Sequence, residues 1–375
     1  MNKNIVGKNV HFGKCDWKIL EWNSTGCLLV YATPGAREFY IKWDASYRAD
    51  WGRDIEWPNC ELFDYLNGEF LEKTFTEEEC MCIRPVKECS DKQCKAFLLG
   101  WEESKNYGLH TKNYLGNDEE WFRDSSSVFE SECDPLAEKY IRPAIWIDFA
   151  MIDSVLPGWH KLAELLAYSI GDFVPYPDNF GAWLNKNYTE AIQTLFTVLR
   201  NSVKSAIKHF VEPLYEVLYC LARNNDATSI NTMFELCADL EPEGYYSYDQ
   251  TLPLGEAIES NAYEAVDALI ANGANPDFAS YSESSTLWYA LNVDVPREML
   301  IYLLRKGAPL EGDFLYHIWV TENDSDFAKE MFSAAICCNV DECLKYVLYQ
   351  EEKLDLQNEC KKKVSELVTY IKLFL

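Results

Sequence analysis

Cysteine and histidine are the first residue types to test for chemistry, because they ligate metals and serve as nucleophile and base. Cys80, Cys82, Cys89 and Cys94 form the pattern C-x-C-x6-C-x4-C, which could be a zinc site. This spacing fits no common zinc knuckle, and Cys82 begins an apolar segment. We therefore favour thiols in the core or on the surface, and we predict no metal and no other cofactor.

Nucleophilic catalysis by cysteine would need a histidine close in space. Cys15 or Cys60 could pair with His11 or His110, but nothing beyond their presence favours this. None of the five histidines lies within four positions of another, so a helical metal-binding pair is absent. The chain also contains no P-loop, G-x-S-x-G, H-E-x-x-H, kinase or dinucleotide-binding motif. We predict a protein that is not an enzyme.

Two runs of carboxylates, residues 77–79 and 118–120, could in principle provide an acid and a base. A solvated helix face is the better interpretation of both. The first run follows Thr76, and the pair Thr76 and Glu79 has the spacing of a capping box, in which each side chain bonds the other residue's backbone N–H.

The composition of the 375-residue chain limits its partners. Lys and Arg number 34 and Asp and Glu 61, which gives a formal net charge of -27. Such a chain repels phosphate, so we predict no binding to nucleic acid or to an anionic membrane. No apolar stretch reaches the length of a membrane span, and no secretory signal begins the sequence. The 14 cysteines are then expected to be reduced thiols in the cytoplasm.

The first 150 residues have the pattern of an α+β domain. Residues 17–23 alternate apolar and polar positions, a turn follows at Asn23, and residues 27–32 form an apolar run, so we predict a hairpin. Short helices are predicted near residues 58–70 and 76–82. Residues 95–100 and 140–149 are predicted strands, and the second strand closes the domain.

Five segments of this domain carry a resemblance: residues 17–20, 61–70, 75–79, 96–99 and 141–147. Their order resembles an uncharacterised bacterial domain family with the motifs W-R-V-L, W-L-N-x-x-F, F-L-L-S and V-R-P-A-L-W. The layout is also similar to C-type-lectin-like domains, including those of formylglycine-generating enzymes. This resemblance implies a mixed or antiparallel sheet, and it implies no activity.

The family's W-W-L-R-S-P segment is replaced here by residues 120–125, and Phe63 stands where an Arg is common. The resemblance nevertheless implies a pocket in which a guanidinium binds an anion or stacks on a ring, lined by Trp121, Arg123, Asp124, Arg142 and Trp146. The alternative is that Arg142 and Asp124 form an internal salt bridge and that the tryptophans are core residues.

The second half contains an internal repeat. Residues 252–277 resemble one ankyrin repeat: Pro253 and Leu254 match the P-L of T-P-L-H-x-A, Ala257 matches its Ala, and Gly273 begins the G-A-D turn. Residues 285–310 form a second copy, because Leu254 to Leu287 and Ala257 to Ala290 are both 33 residues apart.

Two copies alone would be marginal, so degenerate copies are expected on both sides. Residues 213–237 are one. The other is residues 314–332 or, in a different register, residues 332–348, and the sequence does not decide between these registers. The small Ala257 and Ala290 are predicted at close helix contacts, whereas Glu256 is predicted to be exposed.

The resemblance to ankyrin repeats implies a concave face that binds protein. Its predicted residues are Glu256, Glu259, Trp288 and Tyr289, since Trp and Tyr are frequent binding hot spots. The carboxylates indicate a partner with a basic surface. The alternative for Trp288 is that it packs between repeats.

We therefore expect an α+β domain at residues 1–150, a helical junction at 151–204 and an all-α, degenerate ankyrin solenoid at 205–375. The predicted function is that of a cytoplasmic bacterial scaffold which binds another protein. Two alternatives stay open: the N-terminal domain binds a small molecule or carbohydrate or keeps a remnant active site, or the protein is an effector directed at host cells. The sequence does not indicate the oligomeric state.

Overall fold

A computed structural model gives the architecture of the chain. It describes residues 5–32, 61–86, 93–109, 142–170, 175–176, 183–184, 186–242, 252–278, 285–353 and 358–375. The chain divides into two compact units, residues 1–213 and 214–375. Within these described ranges, no helix has both the length and the apolar character needed to cross a membrane.

The first unit is built on a six-stranded antiparallel sheet. Its strand order is β1-β2-β3-β6-β4, and β5 also pairs with β6. A second, two-stranded sheet pairs β7 with β8. The strands are β1 (Asn9–Phe12), β2 (Cys15–Trp22), β3 (Gly26–Tyr31), β4 (Ile83–Arg84), β5 (Ala96–Leu98), β6 (Pro143–Asp148), β7 (Ser169–Ile170) and β8 (Pro175–Tyr176).

The predicted hairpin is confirmed as β2 and β3, which pair antiparallel. Its turn forms because the side-chain oxygen of Asn23 accepts hydrogen bonds from the backbone N–H groups of Thr25, at 2.9 Å, and Gly26, at 3.0 Å. Position 26 must be a glycine, because a Cβ there would lie 2.2 Å from the carbonyl oxygen of Ile147 on β6. β3 is buried along its whole length because β2 and β6 flank it.

Eight α-helices complete the described part of the first unit. The predicted capping box is confirmed at the start of α3, where Glu79 N–H bonds the Thr76 hydroxyl and Thr76 N–H bonds the Glu79 carboxylate. The helices are α1 (Glu61–Asn67), α2 (Glu69–Thr74), α3 (Glu77–Cys82), α4 (Trp101–Asn106), α5 (Phe149–Val155), α6 (Trp159–Leu166), α7 (Tyr188–Arg200) and α8 (Lys204–Ile207).

The segment predicted as a junction, residues 151–204, lies within the first unit. Asp148 ends β6 and caps α5 by accepting the N–H of Ala150 at 2.9 Å. Trp159 on α6 is fully buried and meets the ring of Phe12 on β1 edge-on, with the ring centroids 5.4 Å apart. The segment therefore adds a layer to the core beside the sheet.

All regular elements in the described part of the second unit are helical. The α9 helix contains the boundary between the units. The helices form successive pairs, and α9 belongs to the first of them. The pairs are α9 (Val211–Arg223) with α10 (Ala227–Leu236), α11 (Pro253–Glu259) with α12 (Tyr263–Ala271), α13 (Thr286–Asn292) with α14 (Arg297–Arg305), α15 (Gly312–Tyr316) with α16 (Ser325–Ala334), and α17 (Val340–Lys353) with α18 (Asn358–Ile371). The α15 helix continues into one π-helical turn, His317–Thr321.

Each of the first four pairs turns at one residue in the left-handed region: Asn225, Asn261, Asp294 and Asn323, with φ between 54° and 61°. Asn and Asp tolerate this conformation better than other residues with a side chain. At Asn261 the N–H bonds the carbonyl of Ile258 at 3.0 Å, and the next N–H, of Ala262, reaches the carbonyl of Ala257 at 2.8 Å. These two bonds satisfy the last carbonyls of α11 and fix the chain reversal.

The second helices of the two middle pairs end at Gly273 and Gly307, which have φ of 104° and 105°. Ala274 N–H bonds the carbonyl of Leu269, and Ala308 N–H bonds the carbonyl of Leu303, both at 3.0 Å. The same backbone motif thus closes both helices of these pairs, and it recurs at the spacing that the sequence predicts.

Neighbouring pairs contact each other first helix to first helix and second helix to second helix. Ala257 and Ala290 are fully buried on the first helices α11 and α13. Between the second helices α12 and α14, the rings of Tyr263 and Tyr302 meet edge-on at 4.8 Å. Each pair therefore buries the faces of its neighbours.

The prediction of an α+β part followed by an all-α part is confirmed at this level. The helix boundaries also distinguish the two downstream registers of the repeat. Residues 314–332 form the helix pair α15 and α16 around Asn323, whereas residues 332–348 contain the end of α16 and the start of α17.

We predict that Ala257→Leu and Ala290→Leu each lower the free energy of unfolding by about 1–3 kcal/mol, because a larger side chain must separate packed helices or adopt a strained rotamer. The control is Glu235→Leu, an exposed position on α10, which should change it by about 0.5 kcal/mol or less. Urea unfolding of the full chain measures all three. Equal midpoints would mean that neither alanine lies at a helix contact.

Candidate protein-binding face

The first helices of the second unit leave a row of side chains partly exposed. We call this row the first-helix face, and it consists of Glu216 and Arg223 on α9, Glu256 and Glu259 on α11, Trp288 on α13 and Asp313 on α15. Three of the four predicted binding residues belong to it. The fourth, Tyr289, lies directly beneath it and is 6% exposed.

Glu256 is less exposed than the sequence predicts, because Arg223 covers it. The Nε of Arg223 donates to Oε2 of Glu256 at 2.6 Å, and the Glu256 side chain is 19% exposed. Arg223 comes from the neighbouring pair, so this ion pair joins α9 to α11.

Glu216 lies beside this ion pair and is partly buried. Burial is the largest cause that raises the pKa of Glu216 to about 7; the Glu256 carboxylate adds to it, and Arg223 acts in the opposite direction. The raised pKa therefore reflects mainly the loss of hydration of this carboxyl group.

Glu259 on α11 and Tyr289 on α13 belong to neighbouring helix pairs and are in contact. The hydroxyl of Tyr289 donates to Oε2 of Glu259 at 3.3 Å. Tyr289 is buried, whereas Glu259 is exposed. The tyrosine therefore orients a carboxylate that faces solvent.

Trp288 packs against the next helix pair. Its Nε1 donates to Oδ2 of Asp313 at 3.2 Å, and its ring meets the rings of Phe314 at 5.0 Å and His317 at 5.2 Å. The indole is still partly exposed. The structure thus gives Trp288 the contacts of a residue between repeats and leaves part of its ring accessible.

The charge balance of the first-helix face is strongly negative. Within residues 214–316, the described first helices carry four carboxylates, Glu216, Glu256, Glu259 and Asp313, and one cation, Arg223. The same face also presents the partly exposed aromatic ring of Trp288. Such a surface is complementary to cationic side chains that carry apolar neighbours.

The pocket predicted in the N-terminal domain is only partly described. Trp121, Arg123 and Asp124 lie outside the described residues. The alternative salt bridge between Asp124 and Arg142 therefore stays a prediction. Arg142 is 8% exposed just before β6. Trp146 on β6 packs against an apolar cluster and has the guanidinium of Arg84 over its ring, 4.6 Å from the centroid.

The cysteines considered for chemistry lie in separate surroundings. Cys82 and Cys94 are buried with their thiols on backbone carbonyls, at 3.4 and 3.6 Å, while Cys89, Cys60 and His110 lie outside the described residues. In the part of the chain that the structure describes, no group of three or more His, Cys, Asp or Glu side chains is placed to hold a metal ion.

A buried acid–base pair in the first unit was not found from the sequence. Glu79, expected on a solvated face, is 3% exposed, and its Oε1 lies 3.2 Å from Nε2 of His209 and 3.2 Å from Nζ of Lys208. His209 is 2% exposed. Only the capping-box spacing marked Glu79 in the sequence, and the distant His209 carried no signal.

The pKa values of this pair favour an ionised glutamate and a neutral histidine. Burial alone would raise the pKa of Glu79, but His209, the Thr76 N–H and Lys208 together lower it to about 2. Burial lowers the pKa of His209 and outweighs the opposing effect of Glu79. Nearby, burial acts to lower the pKa of His11, and its contact with Asp16 at 2.9 Å raises it overall.

Comparison with protein-family models, with curated proteins and with solved structures found no match to this chain. The function is therefore argued from the geometry and charge of the first-helix face.

We predict that Glu79→Gln removes a pH-dependent part of the stability. Glu79 has a lower pKa in the folded state than the ordinary value of 4.5, so its stabilisation is present above that pH and is lost as pH falls towards about 2. The wild type should exceed the variant by about 3 kcal/mol at neutral pH, and the difference should shrink below pH 4.5. Gln keeps the capping-box spacing.

The measurement is urea unfolding of both chains between pH 7 and pH 3. The control is Glu78→Gln on the exposed side of the same helix, which makes the same charge change. A constant difference between wild type and Glu79→Gln across this range would mean that Glu79 is not held ionised by its neighbours.

Proposed function

We propose that the second unit is an ankyrin-type solenoid that binds another protein through the first-helix face, without catalysis. The observation that carries this proposal is the negative charge of that face, where the described first helices carry four carboxylates and one cation. The repeated turns at left-handed Asn and Asp residues, and at Gly273 and Gly307, support an ankyrin-type solenoid.

The surface chemistry favours a basic, partly apolar segment as the bound element. Arg223 already pairs with Glu256, which leaves Glu216 and Glu259 to receive cations from a partner. A Lys or Arg beside Glu216 would lower the pKa of this carboxyl and displace its proton. The exposed part of the Trp288 ring offers a surface for an apolar or cationic side chain.

Random-peptide display on the full chain tests the specificity. The selected peptides should be enriched in Lys and Arg, and their binding should be lost with the double variant Glu216→Gln, Glu259→Gln. The control is the double variant Glu351→Gln, Glu352→Gln on α17, which removes the same number of carboxyl groups and should retain binding.

Two results would contradict the proposal. One is a selection without enrichment of basic residues. The other is an equal loss of binding in both double variants, because that would mean attraction to the overall charge of the chain. Circular dichroism and thermal unfolding of the variants establish that each is folded before binding is compared.

A separate prediction concerns the free protein. Glu256→Gln removes one source of negative potential and releases Arg223, so the pKa of Glu216 should fall below about 7, while burial keeps it above the ordinary value of 4.5. NMR titration of the Glu216 side chain in the wild type and the variant measures this change. An unchanged pKa would show that burial alone sets it.

A further inference from the structure

Two thiols meet at the seam between α15 and α17. The Sγ atoms of Cys338 and Cys343 are 3.7 Å apart, and both cysteines are free. This distance is a contact between two thiols and exceeds a disulfide bond of about 2.0 Å. Formation of a disulfide must therefore bring the two sulfurs closer together than they are in this contact.

The two thiols differ in exposure. Cys343 is 2% exposed, and its Sγ lies 3.4 Å from the carbonyl oxygen of Leu310, an alternative acceptor for the thiol proton. Cys338 is only half-buried, and the neighbouring Cys337 is exposed. A solute therefore reaches Cys338 without unfolding the seam, whereas Cys343 is reached through Cys338.

Cys338 directly precedes the start of α17. The carbonyl of Asn339, the next residue, accepts the Cys343 N–H at 2.9 Å, and its side chain accepts the Glu342 N–H at 3.2 Å. A thiolate near the N-terminus of a helix is stabilised by the helix dipole. The hydrogen bond from the Cys343 thiol lowers the pKa of Cys338, while burial opposes this.

The surroundings keep Cys343 protonated. Its hydrogen bond to Cys338 and its burial raise the pKa of Cys343, and the carboxylates of Asp313 and Glu311 add to the effect. One half-exposed sulfur thus has the character of a nucleophile, and the buried one has the character of a proton-bearing partner.

We propose that Cys338 and Cys343 form a dithiol site that is oxidised by hydrogen peroxide, with Cys338 as the attacking sulfur and Cys343 as the resolving one. The Cys338 thiolate attacks one peroxide oxygen, the O–O bond breaks, and the released hydroxide takes a proton to become water. This step leaves Cys338 as a sulfenic acid. The Cys343 sulfur then attacks the Cys338 sulfur, and hydroxide leaves with the Cys343 proton as water. The peroxide is reduced to two water molecules, and the two thiols become one disulfide.

Oxidation of this dithiol site would change the contact between α15 and α17. Leu310 N–H bonds the carbonyl of Cys337 at 3.0 Å, and a Cβ on Gly312 would lie 2.9 Å from the Cα of Cys343, so α15 sits directly on the start of α17. Disulfide formation draws the Cys343 sulfur away from the Leu310 carbonyl. The modification therefore occurs at a contact between two helix pairs.

The test uses the full chain, reduced and then titrated with hydrogen peroxide. Trypsin releases residues 330–345 as one peptide, which contains Cys337, Cys338 and Cys343. After oxidation and alkylation, this peptide should have lost two hydrogen atoms and carry one alkyl group, on Cys337. Fragmentation should place the link between Cys338 and Cys343, before other cysteines of the chain react.

Three single variants assign the roles. Cys337→Ser is the matched control and should form the link as the wild type does. Cys343→Ser should stop at the sulfenic acid of Cys338, which a cyclic 1,3-diketone traps. Cys338→Ser should lose the link and leave Cys343 reduced. Because mapping of the wild-type peptide needs no variant, poor folding of one variant leaves the test decisive.

Several outcomes would overturn the proposal. They are a link between Cys337 and Cys338, a link that persists in Cys338→Ser, or a peptide that stays fully reduced while other cysteines of the chain oxidise.

Discussion

The first four helix pairs of the second unit depend on one backbone constraint: each first helix must end within a single residue, and the chain must then reverse direction. A helix leaves its last carbonyls without partners, and one left-handed residue allows the next two N–H groups to reach them. Asn261 does this for α11 and Asp294 for α13. The reversal brings the second helix against the first, and the fully buried Ala257 and Ala290 allow contact between neighbouring pairs.

Side chains extend this constraint from one pair to the next. The side-chain oxygen of Asn225, itself in a left-handed turn, accepts the N–H of Ala265 at 2.9 Å near the start of α12. Asp324 caps α16 by accepting the N–H of Phe327, and it pairs with Arg297 of α14 at 2.7 Å. In these two turns, a residue of the turn therefore also attaches it to a neighbouring pair. A stack built in this way leaves the outer side of the first helices free to vary in charge.

How much the sequence predicts depends on how local the interaction is. The spacing of Ala257 and Ala290 predicts the two middle pairs, and the turn at Asn23 and the capping box at Thr76 were predicted because each is made within a few residues. The flanking pairs turn at Asn225 and Asn323, which do not keep the same spacing, so their register could not be fixed in advance.

Interactions between segments that are distant along the chain leave no pattern in the sequence from which they could be predicted. The burial of Glu79 depends on His209 and Lys208, which lie far along the chain. The reduced exposure of Glu256 depends on Arg223 from another pair. Of the predicted binding residues, the sequence placed Trp288 on the correct helix, yet its bond to Asp313 follows only from how two pairs stack.

Glu79 and Glu216 show how the same side chain acquires two different roles. Both are withdrawn from water, which by itself raises the pKa of a carboxyl group. Glu79 is surrounded by an amide N–H, a lysine and a histidine, so it stays ionised and stabilises the first unit. At Glu216 burial outweighs the opposing effect of Arg223, and the Glu256 carboxylate adds to the rise, so the pKa reaches about 7. The difference between the two carboxylates therefore lies in their partners: hydrogen-bond donors and cations overcome the cost of burial at Glu79, and the single nearby arginine does not overcome it at Glu216.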